Sequence, residues 1–229
     1  MLGQTQQEVG VVLEAERAGV EKDQLADKVM LLRPGVVARA VGQLVARRPI
    51  LHHLDPAAVE LVDRTMIDLA RDIPIFRPTV ERFVRGQPDA ILLVEFAGED
   101  QAVQLRKLRQ LVELMGDLGF PDSVIEATDP GFQSAIWEVR KQGLNIMMSM
   151  KGDGKPVSFI EDCAVALEDL ADYTQRLTEV FTRHGTHGTW YAHASVGCLH
   201  VRPILNMKEG EDVAKMRAIA EEAFAMVRE

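Results

Sequence analysis

Ala90-Ile91-Leu92-Leu93-Val94-Glu95-Phe96-Ala97 is a continuous apolar run of strand length, broken only by Glu95. A run of this length without alternation reads as a central, buried strand. The pattern then switches. Asp100 can cap a helix whose apolar face is Leu105, Leu108, Leu111, Val112, Met115 and Leu118, with Gly119 as its terminator. Val124 to Thr128 is short enough for a second strand, and Phe132 to Met150 reads as a helix carrying Trp137. Lys151 to Pro156 is a turn-rich loop, and Pro156 to Cys163 reads as a third strand. A helix follows over Leu167 to His184, then two strands, Thr189 to Val196 and Leu199 to Leu205, joined by a tight connection. Asp212 to Arg228 is the last helix. Strands and helices alternate, but the closing hairpin means that the sheet is not all parallel. The predicted class is α+β, ferredoxin-like, with a mixed or antiparallel sheet and helices on one face.

Upstream, the first 50 residues read as helical. Val9, Val12, Leu13 and Glu16 begin one stripe, Leu25, Val29 and Leu32 another, and Val37, Ala40, Val41, Leu44 and Val45 a third. Asp55 and Pro56 suit the N-cap and first position of a further helix, with Val59, Val62, Met66, Leu69 and Ile73 as its stripe. His52 and His53 read as a solvated pair in a connection rather than as a metal site.

Composition narrows the function classes. The 229 residues are 47% hydrophobic and 27% charged, enough for one sizeable core. No apolar run reaches the ~18 residues of a membrane helix, and MLGQTQQEVG lacks the form of a signal peptide. A net charge of -9 argues against a nucleic-acid surface. Two cysteines, Cys163 and Cys198, make no disulfide framework and fit a reduced, cytoplasmic compartment. No dinucleotide fingerprint, P-loop or nucleophile elbow is present.

One constellation stands out, His193-Ala194-Ser195-Val196-Gly197-Cys198-Leu199-His200. A turn at Val196-Gly197 would pair residues whose numbers sum to 393 and set His193 opposite His200 on one face. Two imidazoles there, with Cβ atoms ~5 Å apart, could converge on one divalent cation. The competing reading is two histidines satisfied by backbone. Cys198 shares the face of His200 and reads as a small buried thiol, with a third ligand as the alternative. In Trp137-Glu138-Val139-Arg140-Lys141, Arg140 is either a structural or surface charge, or a bidentate grip on a carboxylate. Glu161-Asp162 reads as a solvated strand end, with a catalytic acid pair as the lesser reading.

Four segments together carry a family resemblance: Ala57 to Arg64, Trp137 to Arg140, Phe159-Ile160-Glu161-Asp162, and His193 to Pro203. In order, they resemble the C-terminal substrate, or cap, domain of FAD-linked oxidases of the vanillyl-alcohol-oxidase type. That family includes D-lactate, glycolate and D-2-hydroxyglutarate dehydrogenases, and the chain is most similar to the bacterial subgroup fused to an iron–sulfur domain. The resemblance covers residues 51–229, leaving 1–50 as a helical extension. It implies an FAD-binding domain elsewhere, a small 2-hydroxy acid as substrate and hydride transfer to the flavin. It also implies that His193 and His200 hold a divalent metal such as zinc and that Arg140 grips the substrate carboxylate. Arg202 stands where hydroxyglutarate enzymes often carry Asn, and is a candidate for substrate contact. The family's third metal ligand and its base sit in a Glu-His-Gly motif after the last helix. Residues 1–229 contain no such motif, so the domain is expected to be truncated before it and inactive alone. An apolar surface facing the flavin domain would also support a homodimer. The alternative is a ferredoxin-like interaction or ligand-binding module without redox activity.

Overall fold

Alternate residues of the 90–97 run enter two different cores in the computed structural model of the chain. Ile91 and Leu93 pack with Met66, Phe83 and Ile136, whereas Leu92, Val94 and Phe96 pack with Leu108, Leu177 and Phe181. Side chains along a strand alternate sides, so both faces of this strand are covered. The structure describes residues 7–15, 54–117 and 122–229.

The described strands are β1 (Gln7–Ala15), β2 (Ala58–Asp63), β3 (Ala90–Gly98), β4 (Val124–Ala127), β5 (Lys155–Pro156), β6 (Cys163–Ala164), β7 (Gly188–His193) and β8 (Cys198–Leu205). They form one sheet in the order β4-β1-β3-β2-β7-β8-β5, with β6 also on β8, and every pairing is antiparallel. The described helices are α1 (Arg64–Asp72), α2 (Arg77–Phe83), α3 (Gln101–Asp117), α4 (Pro130–Lys141), α5 (Gly143–Met148), α6 (Leu170–Arg183) and α7 (Gly210–Val227). The α+β class and the antiparallel sheet agree with the sequence reading. So does the shared core of α3 and α6, where Leu108, Leu111 and Met115 meet Leu170, Leu177 and Phe181; α7 joins them through Ile219 and Ala223. No described helix is long and apolar enough to cross a membrane.

The helices do not lie on one face, as the sequence suggested. α1, α2, α4 and α5 cover the second face through Met66, Phe83, Ile136 and Ile146. The physical reason is in β3 itself: a strand with no polar side cannot leave one side in water.

Further expectations are corrected. Residues 7–15 form a strand, not a helix; β1 fills the gap between β3 and β4 and pairs with both. Val9, Val11 and Val12 are β-branched, which favours that choice. The remaining helical stripes before residue 50, the pair His52 and His53, and Leu118 and Gly119 lie outside the described residues. Residues 58–63 are also a strand. Asp55 caps nothing there and lies at φ 48. The helix begins at Arg64 with Asp63 as N-cap, its carboxylate accepting from Met66 N at 2.9 Å. The other Asp63 oxygen accepts from Trp190 N at 3.0 Å, tying α1 to β7. Burial outweighs those hydrogen bonds and pushes the Asp63 carboxyl up to about 7. Finally, Pro156 to Cys163 is not a continuous strand but two short pairings, β5 and β6. Between them Glu161 turns inward to Arg202, and Asp162 adopts φ 59, which interrupts extended backbone.

The Phe132–Met150 helix is two helices, α4 and α5, broken at Gln142. α4 starts as its residues dictate: Asp129 accepts from Phe132 N at 2.7 Å and Pro130 takes the first turn. Its last turn places Arg140 over the sheet, beside β2 and β7.

Candidate functional site

The β7–β8 hairpin pairs residues whose numbers sum to 391, not 393. Tyr191 faces His200, and His193 faces Cys198. The difference arises in the turn, where Ala194–Val196 forms a single 3-10 turn and Gly197 closes it at φ 71. A Cβ on Gly197 would lie 2.2 Å from the carbonyl oxygen of Val165, so position 197 requires glycine for conformation and for space. A partner shift of two residues preserves the face, because the side-chain period is two. The two imidazoles therefore still meet on one side, with ring centroids 4.9 Å apart and nearly perpendicular at 82°.

β2 carries the same face onward, with Glu60 opposite His193 and Val62 opposite Tyr191. Glu60 is buried and uses both carboxylate oxygens. Oε1 lies 2.7 Å from Nδ1 of His193, and Oε2 accepts from Arg140 Nη2 at 2.6 Å and Nε at 3.2 Å. One strand residue thus anchors an arginine from α4 and a histidine from β7. The Arg140 guanidinium also rests 4.9 Å from the Tyr191 ring, which stacks on His200 at 4.6 Å.

A second carboxylate holds the second imidazole. Asp162 Oδ1 lies 2.8 Å from Nδ1 of His200. In both pairs the carboxylate takes Nδ1, which leaves Nε2 to present a lone pair elsewhere. Burial, and then the neighbouring His193, hold the His200 imidazole below its ordinary value, favouring the neutral ring. Burial also raises the Cys198 thiol, as does Asp162 nearby. Arg202, buried on β8, is paired with Glu161, whose other oxygen accepts from Ser158 Oγ at 2.6 Å. Burial pulls the Glu161 carboxyl up, but the bonds from Arg202 and Ser158 outweigh it and hold it below the usual range.

The structure therefore brings Arg140, His193 and His200 into one cluster, with Arg202 beside them in a closed ion pair. Glu161 and Asp162 are neither a bare strand end nor a free acid pair; each holds a basic side chain. Glu60 escaped the sequence reading because residues 57–64 looked helical. An acid inside the apolar stretch Val59-Glu60-Leu61-Val62 was the available signal, since a strand there must bury it against a partner. A small apolar cavity of about 20 Å³ lies behind Arg140, lined by Met66, Phe83, Leu93 and Val139. It suits neither a hydroxy acid nor an ion. The donor set on the open side does suit a divalent cation and an anion: two imidazoles, a thiol, a carboxylate and a guanidinium.

This antiparallel sheet, covered on both faces and carrying a histidine hairpin, is the architecture of a known domain class. Residues 37–229 match the family "FAD linked oxidases, C-terminal domain", and the chain belongs to that family. It is 30% identical over 190 residues to a D-2-hydroxyglutarate dehydrogenase of Pantoea ananatis, covering 78% of this chain and 18% of that protein. It is 28% identical to the protein of the same name from Escherichia coli, again over 78% and 18%. The chain thus spans about a fifth of the length of these curated relatives. Among solved structures, it resembles p-cresol methylhydroxylase at a TM-score of 0.56 and 11% identity, over 95% of this chain and 42% of that one. The 4-ethylphenol oxidase of Gulosibacter chungangensis follows at 0.53 and 12%, over 96% and 43%. At such identities these two neighbours speak for the fold alone.

Proposed function

We propose that this chain is the substrate-holding part of a flavin-dependent 2-hydroxyacid dehydrogenase acting on a D-2-hydroxy acid of the D-2-hydroxyglutarate kind. The observation that carries the reading is the Glu60 bridge, which fixes Arg140 and His193 on the face where His200 also stands. The names of the relatives support the substrate class. FAD, held by a separate domain, would supply the hydride acceptor. A divalent ion such as zinc at His193 and His200 would polarise the substrate hydroxyl and lower its pKa.

The rest falls to the chain's own side chains. Glu60 occupies Nε and one proton of Nη2 of Arg140, so Nη1 remains to receive a carboxylate. Such a charge-assisted bond is worth ~1.5–3 kcal/mol. Because Glu60 is buried against Arg140, the guanidinium is oriented before substrate arrives, which lowers the ordering cost of binding. Asp162 keeps His200 turned so that Nε2 faces outward, and Tyr191 blocks rotation of that ring by stacking. Arg202 can contact a distal carboxylate only by sharing or leaving Glu161, so it tunes specificity for a dicarboxylate rather than gripping it outright.

Residues 51–229 make up the cap domain in this reading, with 1–50 leading into it. The partners are the FAD-binding domain, an iron–sulfur domain of the same protein, and a second copy through the flavin-facing surface, in a reduced cytoplasmic setting. The test is anaerobic mixing of the full-length flavoprotein with a panel of D-2-hydroxy acids. Bleaching of the flavin by D-2-hydroxyglutarate or a close analogue is expected; no bleaching by any member would refute the reading.

A further inference from the structure

Tyr191 stands between the two groups proposed to hold the substrate. Its strand, β7, lies between β2 and β8 in the sheet. Arg140, fastened to Glu60 of β2, lies over the ring with its guanidinium carbon 4.9 Å from the centroid. His200 of β8 stacks on the ring with centroids 4.6 Å apart and planes at 28°. The ring is thus a partition, with the arginine on the β2 side and the imidazole on the β8 side. Side chains stand out from the face of a sheet, so the phenol oxygen sits on the outer rim of that partition.

The charged side chains around it are engaged. Glu60 serves Arg140 and His193, Asp162 serves His200, and Glu161 serves Arg202. The Tyr191 hydroxyl, by contrast, has no hydrogen-bond partner among the described residues, although the residue is half-buried. Nor is it sealed in: the fully buried, unpaired polar atoms include Oη of Tyr173 but not that of Tyr191. A tyrosine withdrawn from water usually finds a partner for its hydroxyl, and phenylalanine would supply the same stack without the polar atom.

We infer that Tyr191 is a substrate-contact residue, its hydroxyl donating to the carboxylate that Arg140 receives. The inference rests on the proposed reading of this face as the substrate site. In a 2-hydroxy acid the carboxylate and the hydroxyl are carried by adjacent carbons. A molecule held by Arg140 at the first and placed near His200 at the second must therefore cross the rim of the Tyr191 ring. A carboxylate has roughly four lone-pair directions, and one edge of a guanidinium fills two of them. The Tyr191 hydroxyl is placed to fill another. With an ordinary pKa of about 10, a phenol is a donor and not a base at neutral pH, so the contact holds the substrate rather than taking its proton. This carboxylate is common to all 2-hydroxy acids, so Tyr191 selects the class of acid and, unlike Arg202, not its tail.

The test compares Tyr191→Phe and Tyr191→Leu in the full-length flavoprotein. Flavin bleaching is followed with D-lactate and D-2-hydroxyglutarate, and binding of 2-oxoglutarate is measured by calorimetry. Tyr191→Phe keeps the stack and loses only the donor. It should keep the wild-type melting temperature and bind 2-oxoglutarate ~10–100-fold more weakly, the loss of one hydrogen bond to a charged group. The kinetic loss should fall on KM more than on kcat, by a similar factor for each acid that the wild type accepts. Tyr191→Leu loses the partition as well and should be impaired further. A rise in KM confined to the dicarboxylate would overturn the assignment to the shared carboxylate. Wild-type affinity in Tyr191→Phe, with impairment only in Tyr191→Leu, would overturn the inference and leave the substrate site standing, with the ring as a spacer alone. A wild type that neither bleaches with any acid nor binds 2-oxoglutarate would overturn the substrate reading, and this inference with it.

Discussion

Glu60 Oε1 lies 2.7 Å from Nδ1 of His193, although 133 residues separate the two in sequence. Strand pairing makes the contact: β2 and β7 are neighbours in the sheet, and Glu60 is directly opposite His193 in their register. Because the other Glu60 oxygen holds Arg140, a single side chain sets the spacing between the groups proposed to receive the substrate's carboxylate and the ion.

Removing that charge should cost stability as well as function. Glu60→Gln leaves the buried Arg140 guanidinium without its counter-charge. Breaking a buried pair costs ~3–5 kcal/mol, less where a hydrogen bond survives. A loss of about 2 kcal/mol is expected, read from the urea midpoint at constant slope. An unchanged midpoint would show that the pair is solvated in solution.

Gly197→Ala should disable the hairpin turn. The substitution meets a φ of 71 and a carbonyl oxygen 2.2 Å from the new Cβ. The left-handed conformation alone costs ~1–2 kcal/mol for a residue with a side chain, and the clash adds to it. A lower melting temperature with broadened amide signals from β7 and β8 is expected; a wild-type melting curve would contradict the turn geometry.

Two carboxyls should give opposite pH signatures. Glu161 is held below its ordinary value of 4.5 by Arg202 and Ser158 against the pull of burial. A depressed folded pKa gives stability that is present above pH 4.5 and lost as pH falls through the lowered value. Glu161→Gln should flatten that acid limb. Asp63 is raised from 3.8 to about 7 by burial, so the folded state binds its proton more tightly than the unfolded chain. Its protonation favours folding fully below pH 3.8, and the benefit fades as pH rises to about 7. Carboxyl carbon NMR should show one aspartate titrating near neutrality. Normal acidic titration of every aspartate would refute the burial argument.

Legibility in the sequence followed the physics of each signal. The strand at 90–98 was legible because eight apolar or near-apolar residues in a row have few other uses; that such a run also needs cover on both faces was missed, since the helices were expected on one. The histidine face survived a misjudged register because a two-residue shift changes partners but not sides. β2 was misread because Val59, Val62 and Met66 also fit a helical stripe; with it went Glu60, whose role depends on strand alternation. The Asp162 contact to His200 needs a backbone at φ 59, which no side-chain pattern announces. Arg140 stood out beside Trp137, but its spacing alone is compatible with an ordinary surface charge, and its proposed role in gripping a carboxylate comes from the family resemblance.

The most direct measurement is the rate of flavin bleaching by D-2-hydroxyglutarate in anaerobic stopped flow, comparing full-length wild type with Arg140→Met and His200→Ala. In the proposed reading Arg140 holds the substrate's carboxylate and His200 the ion at its hydroxyl, and neither holds flavin. Each variant is therefore expected to keep its full flavin content and to bleach ~100-fold or more slowly, the usual loss when one positioned charge-stabilising group is removed. Saturating substrate should rescue Arg140→Met more than His200→Ala, since the first lacks a binding contact and the second a group at the reacting hydroxyl. Bleaching at the wild-type rate in both variants would contradict the assignment of this face as the substrate site.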